Sequence, residues 1–471
     1  MPGLVLATAR HVDVPPEAVY NSIAGTDGGW LFGASCDRLE VGATISLEIP
    51  FAHGDRAFRI HGRIRRLQPH TMVQIEHAQP WRGCVTLRLT PTPNGGTRVA
   101  LSSDVDESGV EWLVRRAGLP SFVPPNPHTR RVGLLTSKTG TGAVFALATE
   151  NVATIAVEDI NADGPDMPYE LIVGDDATSP TMAEREVDRL ADAGCRVIVA
   201  SVTSASFTAA QRAARRRGVL VVHSLLNEGG GPLSSAVRLG ERPEQQLQRA
   251  VGPLMRMTGG SRWFIVGHTY SWSLAASRVA RSVIPGTGGT IAGEARVSLG
   301  HVDYRPVVER IARSGADLVL STLVGDDEVD FERASHSAGL RAVATTLSLV
   351  LEESTREHIG VAQSEGLWAA MAYFEDLPTD VNRDFVRRYR ARFGPWAPPV
   401  STVSESVYSA FMLLERALAA EPDGSPIRLS RALRSVRRLT PRGLLFFGDS
   451  ETYTQDMHLA VAGRSGFQLQ G

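Results

Sequence analysis

Lysine is almost missing from this chain of 471 residues: Lys138 is the only one, and every other basic side chain is arginine. That imbalance reads as codon bias toward GC-rich triplets. Neither sign of charge dominates, and a net charge of −2 excludes a general attraction to nucleic acid or anionic membrane. Even Arg215, Arg216 and Arg217 close a helix, where cations offset the dipole. Cysteine is scarce too. Cys36, Cys84 and Cys195 are odd in number and far apart, which excludes a disulfide framework or a metal spacing and suits reduced thiols in the cytoplasm. No run approaches the ~20 apolar residues that span a bilayer. The stretch Met1–Asp13 has neither a charged start nor a long apolar core, so the chain as written is expected to be neither exported nor anchored.

Catalytic signatures are also missing. There is no G-x-S-x-G, no H-E-x-x-H, no P-loop and no Cys/His cluster. Asp175-Asp176 and Asp326-Asp327 read as solvated loop or cap acids, and His61, Glu76, His77 and Arg88 alternate along strands without pairing. Gly140-Thr-Gly142 evokes a dinucleotide loop, but Phe145 stands where its third glycine belongs. The expectation is a protein that is not an enzyme and carries no cofactor and no metal.

What is present, from Arg131 onward, is an apolar strand running into a small-residue loop and then a helix, many times over. The clearest copy is Arg196-Val-Ile-Val-Ala-Ser-Val-Thr-Ser-Ala-Ser206. A strand buried on both faces reads as a continuous apolar run. Hydroxyl residues start helices by accepting their unpaired first-turn N–H groups, which also favour anionic or carbonyl oxygens. Strands are predicted at Arg131–Leu135, Leu171–Gly174, Val197–Ala200, Val219–His223, Trp263–Gly267, Leu318–Thr322 and Gly366–Tyr373, with helices between them. This alternation implies parallel sheets covered on both faces. The length exceeds one core, so two lobes sharing a cleft at the carboxyl ends of their strands are expected.

Residues 1–118 differ. A strand over Leu4–Val14 and a short helix through Ile23 precede alternating runs at Arg56–Leu67, Thr71–His77, Gly83–Thr90 and Thr97–Val105. Pro93-Asn-Gly-Gly96 is a hairpin turn. The four prolines of Leu119–His128 mark a linker, residues 119–128.

Several segments then resemble known families. Val132-Gly-Leu-Leu-Thr-Ser-Lys-Thr-Gly140, the strand within Gly315–Gly325, and Tyr373-Phe374 followed by Asn382–Gly394 resemble type I periplasmic-binding-protein domains, closest to the short-chain amide and urea binders. That group includes the cytoplasmic amide sensor of amidase operons. The resemblance covers 129–471 and implies an α/β, two-lobed fold with parallel sheets. Lobe 1 would hold about 129–250 and 400–440, and lobe 2 about 255–398 and 441–471. Val12–Ile23 and Leu39–Ile45 are similar to the START-like superfamily of polyketide cyclases and chaperone-ATPase activators, implying a small α+β helix-grip domain. Only Gly109–Gly118 is available as its closing helix.

By position, the resemblance implies ligand contacts from loops after the early strands of each lobe. In lobe 1 these carry Ser137, then Thr203 and Ser204, then His223 and Ser224. Leu225 stands where a threonine is common, which points to a ligand larger or more apolar than acetamide or urea. In lobe 2, Tyr270 and Trp272 offer amphipathic faces that close over a guest. Asp326 is placed to bind an N–H group, and Tyr373 lies at the cleft floor or hinge.

The leading expectation is a cytoplasmic sensor closing on a small polar metabolite, an amide, urea or amino-acid-like molecule. A homodimer through lobe 1 and a regulatory protein partner are expected with it, and no direct nucleic-acid or membrane contact. The alternative is the solute-binding component of an ABC-type uptake transporter. A second alternative is an enzyme or lipophilic-ligand binder in the START-like domain.

Overall fold

The computed structural model describes residues 4–24, 33–50, 57–116, 124–230, 236–301, 303–448 and 453–470. The linker predicted at 119–128 therefore falls partly, over 119–123, outside the described residues. Two compact units emerge, one of residues 1–122 with 138–143, the other of 123–137 with 144–471.

In the first unit, seven strands form one antiparallel sheet. Their order is Leu4–Val12, Thr97–Val105, Gly83–Pro91, Met72–His77, Ala57–Gln68, Thr44–Pro50 and Ser35–Cys36. Alternation puts Val85, Leu87, Leu89, Val99 and Leu101 on the face that packs with Val19, Ile23 and Trp112. Val19 belongs to the helix Pro16–Asn21 and Trp112 to the helix Glu107–Arg116. The predicted turn forms where expected: Gly95 takes φ +81°, and the Thr92 N–H donates to the Gly96 carbonyl at 2.9 Å.

The second unit contains two further large sheets. One runs Ala236–Arg238, Leu220–His223, Val197–Ser201, Arg130–Thr136, Tyr169–Asp175, with every neighbouring pair parallel. The other begins Thr290–Val297, Arg262–His268, Leu318–Thr322, Thr345–Ser348, Trp368–Met371, again parallel. It ends in two antiparallel strands, His458–Ala462 and Phe467–Gln470. Helices such as Ala146–Ala162 and Thr402–Ala420 cover the first sheet, which is why Val152, Phe411 and Val199 share one core.

Among the described residues the chain passes between the lobes at Arg238–Pro243, at Met371–Asp380 and at Thr454–His458. The predicted strand Gly366–Tyr373 forms only over Trp368–Met371, because its end is one of these crossings: the Ala372 N–H donates to Glu241 Oε1 at 3.0 Å and Tyr373 enters the first lobe's core. Leu445 and Tyr453 also lie in that core, so the final return to the second sheet comes at His458.

One buried guanidinium joins these crossings. Arg442 donates to Glu405, to the Thr402 carbonyl at 2.8 Å and to Gln455 Oε1 at 3.0 Å, and it stands 4.0 Å from Glu241. Thr402 in turn donates to Glu241. Removing one partner of such a cluster strands the others in a dry interior. Arg442→Met is therefore expected to lower unfolding stability by about 3–5 kcal/mol in denaturant titration. A loss below about 1 kcal/mol, the range of an exposed ion pair, would show that the cluster is dispensable.

Candidate functional site

The parallel sheets of the second unit end toward a common cleft, as open α/β sheets do. A narrow cavity of about 330 Å³, open mouth included, lies there. After the strand Val197–Ser201 the chain turns into the helix Ser204–Arg217, and Thr203 and Ser204 reach the cavity wall. Thr203 is the helix cap, its Oγ1 accepting from the Ser206 N–H at 3.4 Å. Ser204 Oγ donates to Glu228 Oε2 at 2.6 Å. Leu225 and Leu226, just past the strand Leu220–His223, extend this wall.

The other lobe contributes Tyr270 and Trp272, after the strand Arg262–His268, together with Val324 and Val350 at the ends of the next two strands. Phe145 and Val403 complete the lining. Tyr270 and Trp272 stack with ring centroids 6.4 Å apart and planes 22° from parallel. The Trp272 ring is buried, and its Nε1–H has no hydrogen-bond partner among the described residues. Tyr270 is half-buried, and its phenol is pushed up by burial first, then by the charges of Glu228 and Asp327.

Behind Tyr270 sits His268, whose ring centroid is 5.8 Å away. The Val324 N–H donates to His268 Nε2 at 3.2 Å, so that nitrogen carries no proton, and burial lowers the ring to about 4. Asp327 Oδ2 lies 3.5 Å from the same nitrogen and accepts from the Gly300 N–H at 2.7 Å. Burial raises this carboxyl to about 7.

The structure thus brings Thr203, Ser204, Tyr270 and Trp272 together at the cavity. It places the other candidates outside the cavity lining. Ser137 donates to Asp176 Oδ1 at 2.6 Å, and burial raises that carboxyl to about 6. His223 is buried, held by the Val202 carbonyl at 2.9 Å and stacked on Phe207 at 4.2 Å; burial lowers it to about 4. Ser224 Oγ reaches the Ala200 carbonyl at 3.4 Å. Asp326 is the first residue of the helix Asp326–Ser337 and is absent from the cavity lining. Tyr373 donates to Asn382 Oδ1 at 2.7 Å within the first lobe's core. The sequence had not singled out Phe145, Leu226, Val324, Val350, Val403 or Glu228.

The sequence profile described as "Periplasmic binding protein" matches residues 129–466 of this two-lobed unit. The chain belongs to the periplasmic binding protein family. Among solved structures, this family member is similar to an ABC transporter solute-binding protein from R. palustris in complex with benzoate. Identity is 18%, 73% of this chain and 96% of that one are covered, and the TM-score is 0.65. It is similar also to an amino acid ABC transporter substrate-binding protein from Pseudomonas fluorescens Pf-5 (17% identity, 74% and 96% covered, TM-score 0.64). A third is the leucine-, isoleucine-, valine-, threonine- and alanine-binding protein from Brucella ovis in its closed conformation (17%, 73% and 94%, 0.61). At these identities the likeness establishes the type I two-lobed fold. Neither the family match nor these likenesses supports a cytoplasmic sensor. Among the described residues no helix is long and apolar enough to cross a membrane.

Asp327 gives this periplasmic binding protein a measurable pH signature. A carboxyl that keeps its proton to about 7 when folded, against 3.8 as its ordinary value, is destabilising once it must ionise in place. Its contribution is present at low pH and is lost as pH rises through 7. Asp327→Asn should match the parent's urea stability near pH ~4 and exceed it near pH ~9. Equal stability at both pH values would contradict a buried, neutral Asp327.

Proposed function

We propose that this chain is the solute-binding component of an ABC-type uptake system, whose lobes close on a small, largely apolar organic molecule between Thr203–Ser204 and Tyr270–Trp272. One observation carries the reading: the cavity sits at the carboxyl ends of both parallel sheets, with walls drawn from both lobes. Family membership supports it, as do neighbours that bind benzoate or amino acids. The lining is mainly aliphatic and aromatic, with two hydroxyl residues on one wall, the pattern of pockets that bury a small organic body and orient it through few polar contacts. Leu225, at a position where the sequence resemblance expected a threonine, belongs to this apolar wall.

For the first unit we propose a START-like helix-grip domain. Its order supports that reading: a strand, a short helix, six further strands in one antiparallel sheet, and a closing helix at Glu107–Arg116.

A thermal-shift screen of the full chain against aromatic and branched aliphatic acids, amides and amino acids tests the solute-binding reading. A ligand at about a hundred times its dissociation constant adds ~2.7 kcal/mol to the stability of the folded state. Tyr270→Ala is expected to weaken the hit by about tenfold or more, a change of ~1.4 kcal/mol, while leaving the unliganded melting temperature within a few degrees. A hit unaffected by Tyr270→Ala and by Leu225→Ser would place binding outside this cleft.

A further inference from the structure

Behind the wall that lobe 2 gives the cavity, two acids and one base are buried together. Glu328 and Glu332 lie one turn apart on the helix Asp326–Ser337, and Arg341 follows on the turn Leu340–Ala342. Arg341 Nη2 donates to Glu332 Oε2 at 2.7 Å, which leaves Glu328 without a cation of its own. Two carboxylates against one guanidinium would put a net charge in a dry interior, so one acid keeps its proton. Burial first, then the charge of Glu332, pushes the Glu328 carboxyl up to about 8.

That neutral acid grips two turns. Ser321 Oγ donates to Glu328 Oε2, and the Ser348 hydroxyl bears on the same carboxyl. Ser348 Oγ also accepts from the Val350 and Leu351 N–H groups at 3.2 and 3.0 Å, and Ser321 Oγ from the Leu323 N–H at 3.4 Å. These turns carry Val350 and Val324 to the cavity. An ionised Glu328 has a place to go, because Arg341 Nε and Nη1 are buried without a partner among the described residues. Turning to them takes the carboxylate off both serines. The other ionisable groups near this helix are engaged elsewhere. Asp327, Asp330 and Tyr304 act on one another, and Arg333 donates to the Ile359 carbonyl at 3.3 Å. On the helix Glu353–Ile359, Glu353 holds the Glu375 N–H, Arg356 (with Glu357 acting on it) the Gly463 carbonyl, and His358 the Ser354 carbonyl. Arg305, Glu309, Arg310 and Arg313 are exposed on the helix Arg305–Ser314.

We propose that Glu328 positions the lobe 2 wall of the cleft and makes its shape respond to pH: the neutral acid holds the turns of Val324 and Val350, and ionisation moves the carboxylate to Arg341 and frees them. This builds on the solute-binding reading, which makes the wall part of a ligand site, and adds its regulation.

Hydrogen exchange of the full chain, followed by mass spectrometry between pH ~6 and ~10 and corrected for intrinsic rates, tests it without a ligand. In the parent, residues 321–326 and 346–352 should lose about tenfold in protection as pH rises through about 8, and Glu328→Gln should keep it. Asp327 is intact in both, so its own titration cancels. Glu332→Gln, which leaves Arg341 free for Glu328, should move the parent's midpoint down by about one pH unit or more. A residue that only packs would give neither the step nor its shift. Protection that stays flat with pH in the parent overturns the proposal, as does a step that survives Glu328→Gln or a midpoint unmoved by Glu332→Gln. Should Glu328→Gln not fold, the parent and Glu332→Gln profiles decide. Failure here leaves the solute-binding reading to the thermal-shift screen, and a blank screen leaves the exchange result intact.

Discussion

The two-lobed unit depends on a single buried guanidinium. Arg442 reaches Glu405, the Thr402 carbonyl and Gln455, and stands beside Glu241, while Glu241 holds the Ala372 N–H. Glu241, Ala372 and Gln455 lie on the segments that cross between the lobes. An ion cluster this buried adds little net stability over a well-packed apolar one, but it fixes geometry, since each group has few other partners in a dry interior. The relative placement of the two sheets, and hence the width of the cleft between their strand ends, follows from these contacts.

Given that frame, the cleft's chemistry is set by what each strand end carries. Strand ends in lobe 1 present small hydroxyl residues because a helix must start there at once, and Thr203 caps the one that begins at Ser204. Strand ends in lobe 2 present Tyr270, Trp272, Val324 and Val350, which make the opposite wall apolar. Behind them His268 and Asp327 lie 3.5 Å apart, and burial disfavours the charged form of each. One wall is thus apolar, and the other carries the hydroxyls of Thr203 and Ser204, the second held by Glu228. Lobe closure about the crossings is favoured only by contacts that differ between open and closed states, and those are the contacts that span these two walls.

The fold was legible because parallel strands buried on both faces are written as unbroken apolar runs. Val197–Ser201, Arg262–His268 and Leu318–Thr322 lie almost where the runs place them. The crossing after Met371 was not, since Ala372, Tyr373 and Phe374 continue the apolar run while the backbone leaves the sheet. Within the site, polar and aromatic residues following a strand are visible in sequence, and Thr203, Ser204, Tyr270 and Trp272 do reach the cavity. Sequence could not show that Ser137 and Tyr373 spend their hydroxyls on Asp176 and Asn382, or that His223 turns Nε2 to the Val202 carbonyl. Nor could it separate Val324 or Val403 from ordinary core valines, because lining a cavity and lining a core need the same side chain. Glu228, whose carboxylate holds the Ser204 hydroxyl, carries no sequence signal of that contact.

The central claim is that apolar surface from both lobes closes over a small organic guest. The heat capacity of binding measures it most directly, from calorimetric titrations of one ligand at several temperatures. Burial of the guest between Leu225, Val350 and Trp272 predicts a clearly negative change. A heat-capacity change near zero, with binding still observed, would mean that the guest docks on an open polar surface and would contradict the account.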